Sequence, residues 1–420
     1  MRHITQCLLF IPIAILSCLV LFPAPAMAQS APLSFNSSTQ FLWGDDLLGQ
    51  NQAILAQYLR FSFAPEGKPY SIWGYGRLWK DFGSPAVRDD DLEGRLYYLY
   101  LDYALTPNIS TRIGRQFTNL TAGTSIMDGI SLDVHQIGPV GATVAVGRDV
   151  VYTLDSEFSR SGNYFAGIDV HLDGIKNTQL GVSYVRRYDE SDLSREELGM
   201  NFRYFFKSLS PYAELKYDLI SRVFDEATVG VDFFPTSNLM IKAEFFHSYP
   251  TFNTTDIYSV FAVDKFQEYL IRFEYALAQP VTLVAGYSRQ TYDEGDNADV
   301  FTLGAKIYPT DNLSLYAAYD YREGFTGYNG FTKQVKGRLS GFEANADYKF
   351  SKKLMFFAGL QYDSYNRPEN ITDTNFAQRY WIGGRWIATK QLSVTARIEE
   401  NSNENFNHRA LGRVALDWKL

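Results

Sequence analysis

The sequence predicts an all-β fold, a single closed antiparallel up-and-down transmembrane β-barrel of about 22 strands, within a range of 18–24. Two observations predict it. Segments of about ten residues alternate apolar and polar side chains, and short turns alternate with longer polar connections. Beyond residue 28 the chain has no run of roughly 18 apolar residues that would form a spanning helix. Such a membrane protein must cross as closed strands, because lipid offers no partner to unpaired backbone groups.

The segment 268–277 illustrates the alternation. Tyr269 and Phe273 share one face, whereas Glu268 and Arg272 share the other. In many segments the hydrated face carries charges along its length and the apolar face ends in an aromatic residue. This pattern is typical of a barrel with lipid outside and water inside. A soluble all-β chain of this length would divide into units joined by linkers, and the sequence contains no such linker.

The number of short turns and longer connections determines the predicted strand count. Ten short turns and eleven longer connections bound 22 strands, so both ends of the barrel lie on the periplasmic side. The weakest predicted strands are 35–43 and 130–137. The short periplasmic turns are 65–69, 106–108, 138–141, 173–177, 207–210, 235–238, 278–280, 309–312, 351–353 and 389–391. The longer outer loops include 79–93, 116–129, 149–163, 188–196, 248–266, 323–337, 366–378 and 400–408.

The N-terminal segment has the layout of a secretory signal peptide. Arg2 precedes an apolar run at 8–22, and Ala26 and Ala28 supply the small residues of an A-x-A cleavage site. A retained membrane anchor is the competing interpretation, but a spanning helix needs roughly 20 apolar residues. We therefore expect residues 1–28 to be cleaved and residues 29–420 to form the barrel, exported through the periplasm of a Gram-negative-type bacterium and integral to its outer membrane.

Composition excludes several classes of site. Cys7 and Cys18 both lie in the predicted leader, so residues 29–420 can form no disulfide and no thiolate metal site. Without Arg2, the 39 Lys and Arg residues become 38 against 47 Asp and Glu, a net charge of −9 that argues against nucleic acid. We expect no cofactor. We also expect no enzyme activity, because nothing pairs His247 or His408 with the partners of a catalytic triad.

The predicted inner face carries charges of both signs. Charged side chains facing lipid cost several kcal/mol at the bilayer midplane, so these groups must meet water or protein. A strongly ion-selective pore would show a ladder of one sign, and the mixture predicts weak ion selectivity. The residues expected to line the lumen are Arg60, Asp102, Arg112, Arg203, Glu214, Lys216, Asp232, Lys242, Glu244, Glu268, Arg272, Glu274, Lys306, Asp320, Arg322, Glu343, Asp347, Lys349, Arg397, Arg413 and Lys419.

One inner cluster is a candidate metal site. Asp133 and His135 share the inward face of one strand, and Asp169, His171 and Asp173 share that of another. Both strands descend to short turns, so the groups should lie near the periplasmic rim, about 10 Å apart. The interpretations left open are hydrated wall residues, a metal site, or a docking contact for a periplasmic partner.

The third outer loop, 116–129, has the ordinal position of the loop that general porins fold into their pore. It is small and weakly polar and, apart from Asp128, holds no acidic residue. We expect an ordinary surface loop here, with inward folding as the alternative.

The last strand alternates Val414, Leu416, Trp418 and Leu420 on one face. It resembles the C-terminal signal read by the barrel-assembly machinery, with Leu420 in place of the usual terminal Phe. With the leader, the alternation and the turn pattern, it makes the whole chain from residue 29 resemble the bacterial outer-membrane β-barrel superfamily. The expected partners are outer-membrane lipid and that assembly machinery.

The pieces Ile113-Gly114-Arg115-Gln116 and Asp128-Gly129-Ile130 are similar to a "GRQ…DG" pattern of porin-like barrels. This resemblance implies a channel for passive passage of small hydrophilic solutes.

Size and short loops also resemble the barrel of porin–cytochrome conduits. A barrel of about 22 strands has a wide lumen, and known barrels of that size are plugged. The first predicted strand begins within about ten residues of Gln29, which leaves little chain for a plug. Inward loops, a smaller strand count or a second chain would resolve this. The alternative function is therefore a scaffold that sheathes a periplasmic multihaem cytochrome for electron transfer, although the chain has no C-x-x-C-H haem motif of its own.

Overall fold

The computed structural model describes residues 32–45, 49–83, 92–152, 157–158, 162–172, 174–249, 265–292, 297–329, 333–367, 370–404 and 406–420. It contains these strands: β1 (Leu33–Asp45), β2 (Asn51–Phe63), β3 (Tyr70–Asp81), β4 (Glu93–Thr106), β5 (Ile109–Leu120), β6 (Gly123–Ile137), β7 (Val140–Asp149), β8 (Val151–Tyr152), β9 (Glu157–Phe158), β10 (Tyr164–Leu172), β11 (Thr178–Asp189), β12 (Asp192–Tyr204), β13 (Leu209–Asp218), β14 (Val223–Thr236), β15 (Leu239–Ser248), β16 (Phe266–Ala278), β17 (Val281–Tyr292), β18 (Asn297–Thr310), β19 (Leu313–Asn329), β20 (Lys333–Lys349), β21 (Leu354–Arg367), β22 (Asn370–Ile387), β23 (Leu392–Asn403) and β24 (Phe406–Lys419).

All strands except β8 and β9 form one closed sheet of 22 strands. Each pairs antiparallel with its neighbours in the chain, β7 pairs with β10 across the β8–β9 hairpin, and β1 closes the sheet against β24. The predicted all-β barrel and its strand count are therefore confirmed, and the two weakest predictions fall within β1 and β6. Among the described residues, no helix is long and apolar enough to cross a membrane.

The two faces of the sheet differ in chemistry. Large apolar side chains cover the outside, with Leu303 64%, Ile382 65% and Ile398 57% exposed. An apolar belt of this extent would be an association site on a protein in water. On a closed barrel it matches the band that faces hydrocarbon.

The outer face is bounded differently at its two ends. Aromatic residues lie toward the short turns: Tyr103, Tyr275, Tyr348, Trp386 and Trp418. Toward the longer connections, the outer face carries ion pairs instead: Arg115–Asp128, Arg186–Glu196, Arg289–Asp299, Arg338–Glu323 and His408–Glu400. Tyrosine, tryptophan and charged groups suit the polar interfaces of a bilayer rather than its centre.

The ten short turns lie where the sequence predicted them, within a few residues, but several longer connections are shorter than expected. β5 and β6 meet in a turn at Thr121 and Ala122, so 116–129 is a hairpin rather than an irregular loop. β11 and β12 likewise meet at Glu190 and Ser191, which both have positive φ values of 50° and 78°. The ladders continue beyond the lipid belt, where apolar alternation no longer marks a strand.

Candidate functional site: the inner wall and an inward hairpin

The strand register places the predicted lumen residues on the face opposite to the exposed apolar belt. Many of their charges are matched across or along strands. Arg112 Nε lies 3.1 Å from Asp102 Oδ2, Lys242 Nζ lies 2.8 Å from Glu244 Oε2, and Arg272 Nη2 lies 2.7 Å from Glu274 Oε1. Pairs in contact with water contribute little stability, but they lower the net field of the wall.

The candidate metal residues lie on two strands that are not neighbours. β7 separates the strand of His135 from that of His171. His135 Nε2 lies 3.1 Å from Ser110 Oγ, whereas His171 Nδ1 lies 3.0 Å from Asp169 Oδ1. Asp133 accepts a hydrogen bond from a β7 threonine instead. No group of three or more potential ligands occurs in the part of the chain that the structure describes, and Asp173 lies outside it. The three interpretations of this cluster, as wall residues, a metal site or a docking contact, stay predictions.

The β5–β6 hairpin folds into the barrel. The Ala122 backbone N–H donates to Ser183 Oγ at 2.6 Å, and Asn201 Nδ2 donates to Thr121 Oγ1 at 2.6 Å. Ser183 lies on β11 and Asn201 on β12, both on the inner face and several strands along the wall from β5. The tip therefore lies inside the barrel, against the inner faces of these two strands. The expectation of an ordinary surface loop at 116–129 was therefore wrong, and the inward alternative is the observed one.

Two charged side chains anchor the hairpin near its tip. Arg187 on β11 donates to the Thr124 carbonyl oxygen and lies 3.4 Å from Asp149 Oδ2 on β7. Asp149 in turn accepts a hydrogen bond from Ser125 Oγ at 2.5 Å. The tip is thus held by backbone, hydroxyl and ionic contacts from three strands.

An apolar cluster lies between the hairpin and the inner wall, which is otherwise polar. Its members are all buried: Leu120, Ala122, Met127, Ala145, Phe165 and Val185. Gly167 provides the space for Leu120, because a Cβ at Gly167 would lie 2.4 Å from Leu120 Cδ1. Burial of this surface supplies a hydrophobic contribution to the inward conformation.

Glycines allow the sheet to bend at the base of the hairpin. Gly114 has φ +125°, and its register partner on β6 is Gly129. A Cβ at Gly129 would lie 2.2 Å from the Val146 carbonyl oxygen of β7. Close backbone approach of this kind admits only glycine, and glycine kinks are a usual means of curving a sheet.

A cavity of about 1000 Å³ opens beside the hairpin tip. The tip forms one side of it, and the inner faces of β10 to β14 form the other. Arg187, Arg195, Glu197, Lys216 and Asp225 contribute charges of both signs to its lining. The arrangement can narrow the lumen and present a polar, charge-balanced surface to a passing solute.

Sequence reasoning missed the residues that hold the hairpin. Phe165 and Val185 are apolar residues at inward positions of β10 and β11, where a hydrated wall calls for polar ones. That exception to the alternation was the available signal. It indicated internal packing, but it did not show which segment packs there.

The C-terminal strand has its predicted alternation. Val414, Leu416 and Trp418 lie on the outer face of β24, and the Trp418 ring lies edge-on to Phe35 of β1 at 5.8 Å. The Leu420 N–H donates to the Phe35 carbonyl oxygen at 2.8 Å. The terminal residues thus help to close the barrel. Their recognition by the assembly machinery stays a prediction, as does cleavage at Ala26 and Ala28, which lie outside the described residues.

No family model and no curated protein sequence matches the chain. Among solved structures, the siderophore receptor PirA from Pseudomonas aeruginosa superposes with a TM-score of 0.61 and 12% identity, covering 94% of this chain and 81% of PirA. OccK7 (OpdD) from P. aeruginosa has a TM-score of 0.48 and 11% identity, with 92% and 98% covered. Acinetobacter baumannii OccAB2 has a TM-score of 0.48 and 10% identity, with 92% and 97% covered. The chain therefore has the closed transmembrane β-barrel fold of bacterial outer-membrane proteins.

Proposed function

We propose that the protein is an outer-membrane channel for passive passage of small hydrophilic solutes, with the β5–β6 hairpin as its constriction. The single observation that carries this proposal is the inward position of the hairpin tip, held by Ser183 and Asn201. A hairpin that lies against the inner wall over β7 and β10–β12 narrows the lumen without closing it. This is one of the ways in which a barrel of 22 strands avoids breaching the permeability barrier.

The polar inner face supports the same proposal. Small-solute channels select by the diameter of the path and by the charges and hydrogen-bonding groups that line it. Matched pairs such as Lys242–Glu244 reduce the net field, which favours weak ion selectivity over most of the wall.

The sheath hypothesis stays an untested alternative. The described residues hold no feature that favours a cytochrome partner, and the inward hairpin occupies part of the space such a partner would need. The expected absence of enzyme activity, of cofactors and of a nucleic-acid partner also stays a prediction.

Single-channel recording tests the proposal. The purified, refolded chain should give a stable conductance in a planar bilayer. The variant Ser183→Ala/Asn201→Ala, which removes two tethers of about 1 kcal/mol each, should give a larger and noisier conductance. The matched control Ser288→Ala/Asn345→Ala changes the same residue types on β17 and β20, away from the hairpin, and should conduct like the unmodified chain. No conductance from a correctly folded barrel, or equal behaviour of both variants, would contradict the proposal.

A further inference from the structure

A second cavity lies on the inner wall at the seam where the barrel closes. It measures about 520 Å³, within the range of about 300–1000 Å³ that is typical of small-molecule sites. Its lining comes from β1, β2, β3, β22 and β24. Its strands are separated in the sheet from β10–β14, which line the cavity beside the hairpin tip, by β4–β7 on one side and β15–β21 on the other.

The charges around this seam cavity are strongly unequal. Four cationic side chains line it, Arg60, Arg385, Arg413 and Lys419, whereas Asp417 is the one acidic residue of its lining. Within the described residues, none of the four cations lies within ion-pair distance of a carboxylate. Elsewhere on the wall, Lys216, Lys242 and Arg272 each lie 2.7–2.8 Å from one.

The register explains how these cations come together. Arg60 on β2 and Lys419 on β24 are both paired with Asn36 of β1, so the three lie in one row across the seam. Arg413 lies six residues before Lys419 on the same strand and therefore on the same face. Arg385 lies on β22. Its register partner on β23 is Thr395, a small residue that leaves the Arg385 side chain exposed.

Neutral polar groups hold two of the four cations. Arg413 Nη2 donates to Gln40 Oε1 at 2.8 Å, and Arg385 Nη2 donates to Ser393 Oγ at 3.4 Å. Asp417 accepts a hydrogen bond from Ser38 Oγ at 2.7 Å, which occupies one of its oxygens. The guanidinium groups keep further N–H donors for a ligand, since each carries five.

We propose that this seam cavity is an anion-binding subsite for small solutes that carry a carboxylate or phosphate group. Arginine is suited to such groups because its planar fork matches two acceptor oxygens at once. Unpaired cations in a recess of the low-dielectric wall also raise the local concentration of anions. The inference rests on the proposed channel function for its biological role, but the binding itself does not require conduction.

Equilibrium dialysis of the folded barrel in detergent, with radiolabelled phosphate or succinate as the probe, measures the binding directly. The unmodified chain should bind both saturably, and more weakly at high salt. Arg60→Gln/Arg413→Gln should weaken binding by about tenfold or more, because each charge-assisted hydrogen bond is worth more than a neutral one. The matched control Lys242→Gln/Arg272→Gln also removes two positive charges from the inner wall and should change binding by less than about twofold.

Two further measurements keep the outcomes distinct. Heat-modifiable gel migration shows that each variant has folded, and Arg60→Lys/Arg413→Lys keeps the charge but loses the planar fork, so it should bind with intermediate affinity. In bilayers with a salt gradient, the glutamine variant of the cavity should shift the reversal potential toward cations more than the control does. Saturable binding without conductance would support the subsite and contradict the channel. Conductance without saturable binding, or an equal loss of binding in both glutamine double variants, would contradict the subsite proposal. Neither result would contradict the channel proposal.

Discussion

Arg115 on β5 and Asp128 on β6 form a bidentate ion pair across the base of the inward hairpin. Nε lies 2.7 Å from Oδ1, and Nη2 lies 2.8 Å from Oδ2. Both residues project from the outer face, toward the end of the barrel that carries the longer connections. The two halves of the "GRQ…DG" pattern thus face each other, with Gly114 opposite Gly129. The pair joins β5 to β6 at the base of the hairpin.

We predict that this ion pair stabilises the barrel cooperatively. Arg115→Gln and Asp128→Asn should each lower the temperature at which the folded band disappears in heat-modifiability gels. The double variant should lose less than the sum, with a coupling energy of about 1 kcal/mol for a well-aligned, partly exposed pair. The same cycle on Arg289 and Asp299, a more exposed pair at the corresponding end of β17 and β18, should give a smaller coupling. Strict additivity at Arg115 and Asp128 would show that the pair is not energetically linked.

The bend at the hairpin base should tolerate no side chain. Gly129→Ala places a Cβ 2.2 Å from the Val146 carbonyl oxygen, a backbone atom that cannot move aside cheaply. We expect a lower folded fraction after refolding, or a hairpin displaced from the interior and an enlarged conductance. Gly286→Ala is the matched control, because its Cβ would meet nothing closer than 3.7 Å. Equal refolding yields and conductances of the two variants would argue against a tight bend.

The apolar cluster beneath the hairpin should behave as a small protein core. Phe165→Ala removes a fully buried ring and should cost about 3–5 kcal/mol, mostly as loosening of the hairpin. Phe356→Ala removes an equally large ring from the outer face, where Phe356 is 46% exposed and lipid can fill the space. Hydrogen exchange of the 116–129 backbone should therefore rise in the first variant and change little in the second. Similar exchange in both variants would show that the cluster does not hold the hairpin.

The fold could be predicted from the sequence because the lipid belt imposes its pattern directly on each strand. The segment 268–277 alternates over its full length, and it lies within β16 as expected. Short turns are similarly visible, since a tight reversal interrupts the alternation for a few residues. The outer ends of the strands could not be delimited in the same way, because above the lipid both faces of a hairpin contact polar surroundings.

The inward position of the hairpin could not be predicted from the residues of 116–129 alone. Around 116–129 both faces are mixed: Arg115, Phe117 and Asp128 lie outside, whereas Gln116 and Met127 are buried inside. The contacts that stabilise this arrangement come from Ser183 and Asn201, about 60 to 80 residues later in the chain. The seam cavity is equally non-local, because it unites the first strands of the barrel with the last. The excess of positive charge in this cavity appears only when β1 pairs with β24, whereas the sequence predicted a lumen lining of mixed charge.

Accessibility of single spin labels along β18 tests the central claim most directly. Residues 29–420 contain no cysteine, so one introduced cysteine can be labelled without background. Labels at Phe301 and Leu303 should be reached by oxygen dissolved in the bilayer. Labels at Thr302 and Lys306 should be reached by a water-soluble nickel chelate. We predict a strict period of two between these environments in the refolded, membrane-inserted barrel. Access of the aqueous chelate to all four positions alike would contradict a barrel with hydrocarbon outside and a wet interior.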